Sequence, residues 1–308
     1  MRNIIITGAT SFIGIHLINE LLKNEVCIYA VIRPQSNNRS RLPIDSRINV
    51  IELEMEEYDR LPDLIEKADH FYHLAWQGTR VPLRDDILIQ RKNYECAVKA
   101  FEAATEMGCT LFLGTGSQAE YGKMVGAVNE ETLCNPLTEY GKRKLETCRE
   151  LMERADEKGI RFVWIRLFSI YGPYDFQGTM VMSSIEKMLR NSEISMTEGI
   201  QLWDYLYVGD AVKAMTLLSE NNNGQGVYNI ASGDYKPLRS FVEIMKEVLH
   251  SDSKILLGAV PYGTQGPVDL TPDISKIKQM GWTPLVTFEQ GIEEIIKQSI
   301  IMKQLYYN

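Results

Sequence analysis

Two features that mark common protein classes are missing from this sequence of 308 residues. No run of about 18 apolar residues occurs, so the sequence predicts no membrane-spanning helix. Positive charge is not in excess either, because 33 lysines and arginines stand against 41 aspartates and glutamates, for a net charge of −8. Nucleic acids and anionic membranes call for a basic surface on their partners, so neither is an expected partner of this protein.

Cysteine and histidine are scarce, with five and four residues. The cysteines form no C-x-x-C pair, and no close group of histidine and cysteine has the spacing of metal ligands. The sequence therefore predicts no metal site. It predicts reduced thiols in the protein core at Cys27, Cys96, Cys109, Cys134 and Cys148.

The N-terminal segment lacks the pattern of a secretory signal. Met1 is followed almost directly by a short apolar segment, without a long apolar region or a small-residue cleavage site. The composition, with 44% hydrophobic and 24% charged residues, is that of a globular protein with a large core. We expect a soluble, cytoplasmic protein.

Short apolar runs alternate with amphipathic stretches in the first half of the chain, which is typical of a parallel sheet covered by helices on both faces. The predicted fold is a doubly wound α/β Rossmann fold. Strands are predicted at 3–7, 27–32, 48–53, 69–74, 110–115 and 161–167, and helices at 12–24, 60–67, 84–107 and 138–158.

The pattern changes after residue 171, where shorter elements are broken by glycine and proline. We therefore predict a dinucleotide-binding domain of residues 1–172, to which 203–220 returns. Residues 173–308 are predicted to form mainly a smaller α/β domain that binds the substrate.

A glycine turn follows the first predicted strand and opens the first predicted helix. Gly8 can take the tight turn, and Gly14 allows the helix to pack closely on the strand, so the helix N-terminus can hold a pyrophosphate. Ser11 departs from this pattern, because glycine is usual at that position, but its hydroxyl can donate a hydrogen bond. The alternative is a helix cap without a ligand. The predicted cofactor contacts here are Gly8, Thr10, Ser11, Phe12, Ile13 and Gly14.

The end of the second strand indicates which dinucleotide is bound. A carboxylate about 20 positions after the glycine motif would bind a ribose 2′-hydroxyl, but Arg33 stands there. Because a guanidinium suits a 2′-phosphate, NADP(H) is favoured, and NAD stays possible. The alternative is that Arg33 and Arg39 are solvated loop charges. Glu54, Leu74 and Ala75, which follow the third and fourth strands, are further predicted cofactor contacts.

Three residues have the chemistry of a proton-transfer site. Ser117 ends the fifth strand, and Tyr140 and Lys144 are one turn apart on the helix that follows. A phenol with a pKa of about 10 needs a nearby ammonium to act as an acid or base at neutral pH. Lys144 is placed to supply that ammonium and to contact the cofactor ribose, while Ser117 can hold the substrate oxygen.

These segments resemble the extended short-chain dehydrogenases/reductases of the NAD-dependent epimerase/dehydratase type. The resemblance covers nearly the whole chain and includes segments 166–173, 203–210, 272–276 and 281–284. It implies a catalytic triad of Ser117, Tyr140 and Lys144. It also implies Asn93 as a structural support, a nucleoside-diphosphate sugar bound between the two domains, and a homodimer formed through the two long helices.

Departures from the family pattern narrow the expected activity. The sugar dehydratases follow their catalytic Thr or Ser with Asp-Glu, whereas Gln118 and Ala119 stand here, so dehydration is not expected. Trp203 stands where many epimerases carry an arginine for the diphosphate, and 261–267 lacks the second arginine often found there. The resemblance implies substrate contacts from Ser117, Gln118, Tyr140, Ser169 and Trp203.

The amino-acid sequences of segments 117–122 and 202–205 most resemble those of 4-ketoreductases that make deoxysugar nucleotides. The first hypothesis is therefore NADPH-dependent reduction of a nucleoside-diphosphate 4-keto-6-deoxysugar, with Tyr140 as proton donor. An NAD-dependent nucleotide-sugar 4-epimerase is the alternative, because the same three residues serve both reactions. A dinucleotide-sensing protein without activity is the third hypothesis. Such a protein can dispense with the tyrosine and the lysine, whereas this chain has both.

Overall fold

A computed structural model describes residues 1–123, 126–263 and 267–307, with side chains up to residue 299. The strands are β1 Arg2–Thr7, β2 Val26–Ile32, β3 Ile48–Glu52, β4 His70–His73, β5 Leu111–Ser117, β6 Arg161–Leu167, β7 Ser169–Tyr171, β8 Ile194–Ser195, β9 Leu202–Trp203, β10 Tyr205–Tyr207, β11 Gly226–Ile230, β12 Lys236–Pro237 and β13 Ile255–Leu256. The α-helices are α1 Phe12–Leu21, α2 Leu61–Leu64, α3 Ile87–Glu106, α4 Glu139–Lys158, α5 Met180–Leu189, α6 Val208–Glu220, α7 Leu238–Val248, α8 Ser275–Gln279 and α9 Phe288–Tyr307.

A seven-stranded sheet with the order β11-β6-β5-β4-β1-β2-β3 forms the centre of the molecule. Every neighbouring pair in this sheet is parallel. From β1 the chain runs outward to β2 and β3 and then returns to β4 on the other side of β1. The strand order therefore reverses between β1 and β4, which is where ligands bind in open α/β sheets, beyond the carboxyl ends of the strands. The predicted Rossmann fold class is confirmed.

Alternate side chains of the buried strands serve two separate cores. Ile4 and Ile6 of β1 pack on the face covered by α1 and α6, whereas Ile5 packs with Phe71 and Phe112 on the face covered by α3 and α4. All three isoleucines are completely buried. A strand buried on both faces reads as a continuous apolar run rather than as an alternating one, which explains why β1 could be predicted from its sequence.

The secondary structure differs from the prediction at several places. The predicted helix at 60–67 is a 3-10 helix, Met55–Arg60, followed by the single turn α2. The helix predicted from residue 84 begins at Ile87, because the Asp86 side chain accepts from the N–H groups of Leu88 and Ile89 and so caps α3. Residues Leu83–Asp85 form a separate 3-10 turn. Strand β11 was not predicted.

A third core lies in the C-terminal half, where α5, α7 and α9 pack together through Val181, Ile185, Phe241, Met245, Phe288 and Ile292. In the same half of the chain, α6 packs on α1, and β11 pairs with β6 at the edge of the central sheet. The division into a dinucleotide-binding and a substrate-binding domain stays a prediction.

All five cysteines are free thiols. Cys96, Cys109 and Cys148 are buried, as predicted, but Cys27 and Cys134 are partly exposed, so the prediction of core thiols was wrong for those two. Across the described residues, no group of three or more histidine, cysteine or acidic side chains is close enough together to hold a metal ion. No helix in the same residues has the length and apolar character needed to cross a bilayer.

Candidate active site

The turn between β1 and α1 is built for close backbone contact. Gly8 has a positive φ of 69°, and a Cβ atom there would lie 2.9 Å from the Ala75 nitrogen. A Cβ atom on Gly14 would lie 2.4 Å from the Gly8 carbonyl oxygen. Both distances are too short for any side chain, so glycine is required at both positions for α1 to start against β1 and β4.

The N-terminus of α1 has donors that are open to a ligand. The Ser11 hydroxyl accepts from the Gly14 N–H group at 3.1 Å and caps the helix. Among the described residues, the N–H groups of Phe12 and Ile13 have no acceptor. Two such donors at the positive end of a ten-residue helix fit a pyrophosphate, so this turn can hold a dinucleotide. Beside it, the hydroxyls of Thr10 and Ser36 lie 3.2 Å apart.

The residues predicted to contact the adenosine half of a dinucleotide lie beyond β2 and β3. Arg33 is exposed, and in the parts of the chain that the structure describes it makes no ion pair. The neighbouring Arg39 pairs with Glu52 at the end of β3. Glu54 is exposed and caps the 3-10 helix that follows it, by accepting from the Glu57 N–H group. Among the described residues Arg33 therefore has no carboxylate partner, so its guanidinium is open to a ligand.

His73 at the end of β4 has a structural environment. Its Nδ1 atom lies 3.0 Å from the Thr7 hydroxyl, and burial lowers the pKa of the imidazole to about 3. The ring is therefore neutral at physiological pH. The next two residues approach the cofactor turn, because Leu74 lines the cleft described below and the Ala75 N–H group donates to the Thr7 hydroxyl at 3.4 Å.

Ser117 is held by the turn that it opens. Its hydroxyl accepts from the Ala119 N–H group at 3.2 Å, and its own N–H group donates to Glu120 Oε1 at 2.8 Å. The two residues form a reciprocal capping box around the 3-10 turn Gln118–Glu120. Gly141 brings α4 against this turn, since a Cβ atom there would lie 2.4 Å from the Ala119 carbonyl oxygen. The serine and the start of α4 are thus fixed relative to each other.

Lys144 is buried in an apolar setting, with 2% of its surface exposed. Its Nζ atom donates to the Thr115 carbonyl oxygen at 2.6 Å and lies 3.6 Å from the centre of the Trp76 ring. Burial lowers the pKa of this amine to about 7, against the opposing effect of the Glu120 carboxylate. The charge on Lys144 is therefore sensitive to pH near neutrality in the protein alone.

Tyr140 lies one turn before Lys144 on α4. Burial raises the pKa of its phenol, whereas the hydrogen bond with Ser117 and the positive charge of Arg84 act in the opposite direction. The Arg84 guanidinium carbon lies 5.1 Å from the centre of the Tyr140 ring, and Lys144 Nζ lies 5.9 Å from it. The sequence pattern pointed to Lys144 as the cation beside the phenol, but the structure places two cations there.

A cleft of about 630 Å³ connects these elements. Of the residues predicted to bind cofactor or substrate, nine line it: Ser11, Phe12, Ile13, Leu74, Ser117, Tyr140, Lys144, Ser169 and Trp203. Seven others do not line it: Gly8, Thr10, Gly14, Arg33, Glu54, Ala75 and Gln118. Gly8, Gly14 and Ala75 form the backbone packing beneath the cofactor turn, while Arg33 and Glu54 lie beyond the ends of β2 and β3.

Other cleft residues were missed, because they come from loops without a recognisable motif. Trp76 and Arg80 follow β4, and Asp175 and Thr179 follow β7. Arg80 lies 3.7 Å from the largely buried Asp175 carboxylate and so joins the two loops across the cleft. Asn93 supports the first of these loops, because its side-chain amide exchanges two hydrogen bonds of 2.8 Å with the Gln77 backbone.

The sheet, the glycine turn and the Ser-Tyr-Lys cleft define a Rossmann-type protein of the short-chain dehydrogenase class. A sequence model of the NAD dependent epimerase/dehydratase family matches residues 4–231, and the chain belongs to that family. This confirms the family resemblance and the enzyme class inferred from the sequence.

The chain is 24% identical to CDP-abequose synthase of Salmonella muenchen over 96% of this chain and 97% of that protein. It is 25% identical to UDP-N-acetyl-alpha-D-glucosaminuronate decarboxylase of Bacillus cytotoxicus, over 96% and 97% of the two chains. A crystal structure of UDP-glucuronic acid 4-epimerase from Bacillus cereus in complex with NAD superposes with a TM-score of 0.82 and 25% identity, covering 96% of this chain and 99% of that one.

Proposed function

We propose that this protein reduces the C4 ketone of a nucleoside-diphosphate 4-keto-6-deoxysugar with NADPH. The observation that carries the proposal is the meeting of Ser117, Tyr140 and Lys144 with the open N-terminus of α1 in one cleft. The cleft volume of about 630 Å³ is that of a small-molecule site. The similarity to CDP-abequose synthase and to other nucleotide-sugar enzymes supports this substrate class.

The residues of the cleft have complementary roles in such a reduction. When bound, NADPH supplies the hydride that goes to the ketone carbon. Tyr140 gives its phenolic proton to the ketone oxygen, so that the carbonyl becomes a hydroxyl. The Ser117 hydroxyl hydrogen-bonds the same oxygen and orients it toward Tyr140. The phenolate that remains is stabilised by Lys144 and takes a proton back from solvent.

Removal of water from the sugar lacks an acid and a base at the two positions that follow Ser117. Gln118 carries no charge, and Ala119 is buried with no functional group. The next residue, Glu120, is completely buried and forms an ion pair of 2.8 Å with Arg166. Its carboxylate is therefore committed to the protein interior. We propose that the protein does not dehydrate nucleoside-diphosphate hexoses.

The choice of NADPH rests on Arg33. It is exposed just beyond β2, where a dinucleotide on the α1 N-terminus would place its adenosine ribose. Arg39 pairs with Glu52, whereas Arg33 makes no ion pair among the described residues, so the Arg33 guanidinium is available to a 2′-phosphate.

We further propose a homodimer formed through α3 and α4. A groove of about 1190 Å³ runs over the outer faces of these helices, away from the cleft, and is lined by apolar side chains such as Phe101 and Leu145 among charged ones. Light scattering of the purified protein tests this proposal. A mass of two chains is expected, and a monomer at micromolar concentration would rule the dimer out.

The second candidate is an NAD-dependent 4-epimerase, favoured by the superposition on an epimerase from Bacillus cereus that holds NAD. The same Tyr140 and Ser117 would then remove and return one proton at the C4 oxygen. The two candidates differ in whether reducing equivalents are consumed.

Two measurements test the proposed function. Dinucleotide released from the purified protein is identified by mass spectrometry, and NADPH oxidation is followed with a panel of 4-keto-6-deoxysugar nucleotides. We expect NADPH-dependent loss of the ketone for at least one nucleotide sugar. Stoichiometric bound NAD, no NADPH oxidation and interconversion of C4 epimers would establish the epimerase instead. A 4-keto-6-deoxy product from an ordinary nucleoside-diphosphate hexose would overturn the exclusion of dehydration.

A further inference from the structure

The 3-10 turn Leu83–Asp85 is fastened to both long helices. The Gln90 side-chain amide of α3 donates to the carbonyl oxygens of Gly78 at 2.8 Å and Leu83 at 2.9 Å. On the other side, Asp85 Oδ1 accepts from the Glu139 N–H group at the start of α4, at 3.1 Å. The turn therefore has a fixed position next to Tyr140, the second residue of α4.

This attachment places Arg84 over the Tyr140 ring. The guanidinium carbon is 5.1 Å from the ring centre, which is within the range of a cation–π contact. Within the described residues, the Arg84 Nε atom is buried and has no hydrogen-bond partner, and the side chain forms no ion pair. A buried guanidinium nitrogen without an acceptor is costly, so its position against an aromatic ring calls for an explanation.

The other groups around the phenol do not supply a permanent positive charge. The Trp76 ring lies edge-on to the Tyr140 ring, with 6.2 Å between the ring centres, and Ser117 supplies a neutral hydroxyl. Glu120 is negative and raises the pKa of the phenol, although its ion pair with Arg166 offsets part of that charge. Lys144 is 5.9 Å from the ring, and its pKa of about 7 means that part of its charge is lost near neutral pH. Arg84, in contrast, stays charged at every physiological pH.

We propose that Arg84 is a positioning residue of the site, whose permanent charge over the Tyr140 ring stabilises the phenolate that remains after proton transfer. The inference rests on the proposed function for the role of Tyr140 as proton donor. Arg84 itself does not line the cleft, so it acts through Tyr140 and not on the substrate. Its effect is to keep the phenol a strong enough acid when Lys144 is partly neutral.

The test is a direct titration of Tyr140 in the cofactor-free protein. Replacing the 15 tyrosines by 3-fluorotyrosine lowers the phenol pKa values and gives fluorine NMR signals, and the Tyr140 signal is the one missing from Tyr140→Phe. Arg84→Met retains the aliphatic stem and removes the charge, and we expect it to raise the Tyr140 pKa by about 1. Arg84→Lys keeps a charge and should retain most of the effect.

Arg80→Met is the matched control, because Arg80 lies on the same loop but over the Phe176 ring, at 4.2 Å. It should leave the Tyr140 titration unchanged. An unchanged Tyr140 pKa in Arg84→Met, or equal changes in Arg84→Met and Arg80→Met, would overturn the inference. The titration needs no substrate, so it tests the role of Arg84 even if no ketoreductase activity is found. Once a substrate is known, the alkaline limb of the pH profile of kcat/KM should move to higher pH in Arg84→Met.

Discussion

Glu120 and Arg166 form a buried ion pair directly beneath the candidate active site. The Arg166 Nε atom donates to Glu120 Oε2 at 2.8 Å, and the two side chains are 5% and 0% exposed. The same carboxylate also accepts from the Trp164 indole at 3.1 Å and from the Ser117 N–H group at 2.8 Å. One buried carboxylate thus joins β5, β6 and the turn that carries Ser117.

Removing that carboxylate should be strongly destabilising. Glu120→Gln keeps the shape of the side chain but leaves the Arg166 charge buried without a partner, which costs about 3–5 kcal/mol of unfolding free energy. Urea unfolding measures the loss. The control is Glu95→Gln, which breaks an exposed pair with Arg91 and should cost less than about 1 kcal/mol. Similar losses of unfolding free energy in both variants would show that the buried Glu120 pair contributes no more to stability than an exposed pair.

The buried amine of Lys144 predicts how stability changes with pH. Its pKa is lowered by burial from 10.5 to about 7 in the folded protein, so between these values the unfolded chain binds more protons. The unfolding free energy of the cofactor-free protein should therefore rise with pH across this window, by up to about 1.4 kcal/mol per pH unit. Below about pH 7 the full cost of charging the buried amine is present.

Lys144→Met removes this cost, so the variant should be more stable than the parent at pH 6, and the difference should shrink toward pH 10. Urea unfolding at a series of pH values measures it. Lys142→Met on the exposed face of the same helix is the control and should show no such trend. A stability difference for Lys144→Met that does not vary with pH would contradict the assigned environment of the amine.

Cofactor preference is predicted to depend on Arg33. Arg33→Asp replaces the guanidinium suited to a 2′-phosphate by a carboxylate that repels it and accepts from ribose hydroxyls. Its Kd for NADPH should increase much more than its Kd for NADH, as measured by fluorescence titration. Arg39→Asp is a comparison at a side chain already paired with Glu52. If Arg33→Asp weakens both dinucleotides equally, Arg33 is only a loop charge.

The sequence predicted the strands of the first half of the chain from their short, mainly apolar runs, and the long helices from their amphipathic pattern. β11 escaped prediction because its five residues include a buried polar one, Asn229, whose side chain accepts from the Tyr121 hydroxyl at 2.6 Å. The loop before it also looked like the border of a second domain. The burial of Asn229 is explained by a hydrogen bond to a partner more than 100 positions away in the chain, which the local sequence pattern cannot predict.

The site shows the same division. Tyr140 and Lys144 could be paired from their spacing on one helix, and Gly8 and Gly14 from the turn they require. Arg84 could not be placed, because its approach to Tyr140 depends on the Asp85 contact with α4, 54 positions along the chain. Trp76 and Asp175 likewise reach the cleft only through the packing of their loops.

The central claim is that Tyr140 delivers the proton to the reduced carbonyl. The decisive measurement is turnover of Tyr140→Phe with a proven 4-keto substrate and NADPH, together with the Kd for NADPH and the unfolding free energy. Phenylalanine keeps the ring and its contacts with Trp76 and Arg84. We predict turnover lowered by about a hundredfold or more, with cofactor affinity and stability nearly unchanged. Near-normal turnover would mean that the proton comes from another group and would contradict the proposed site.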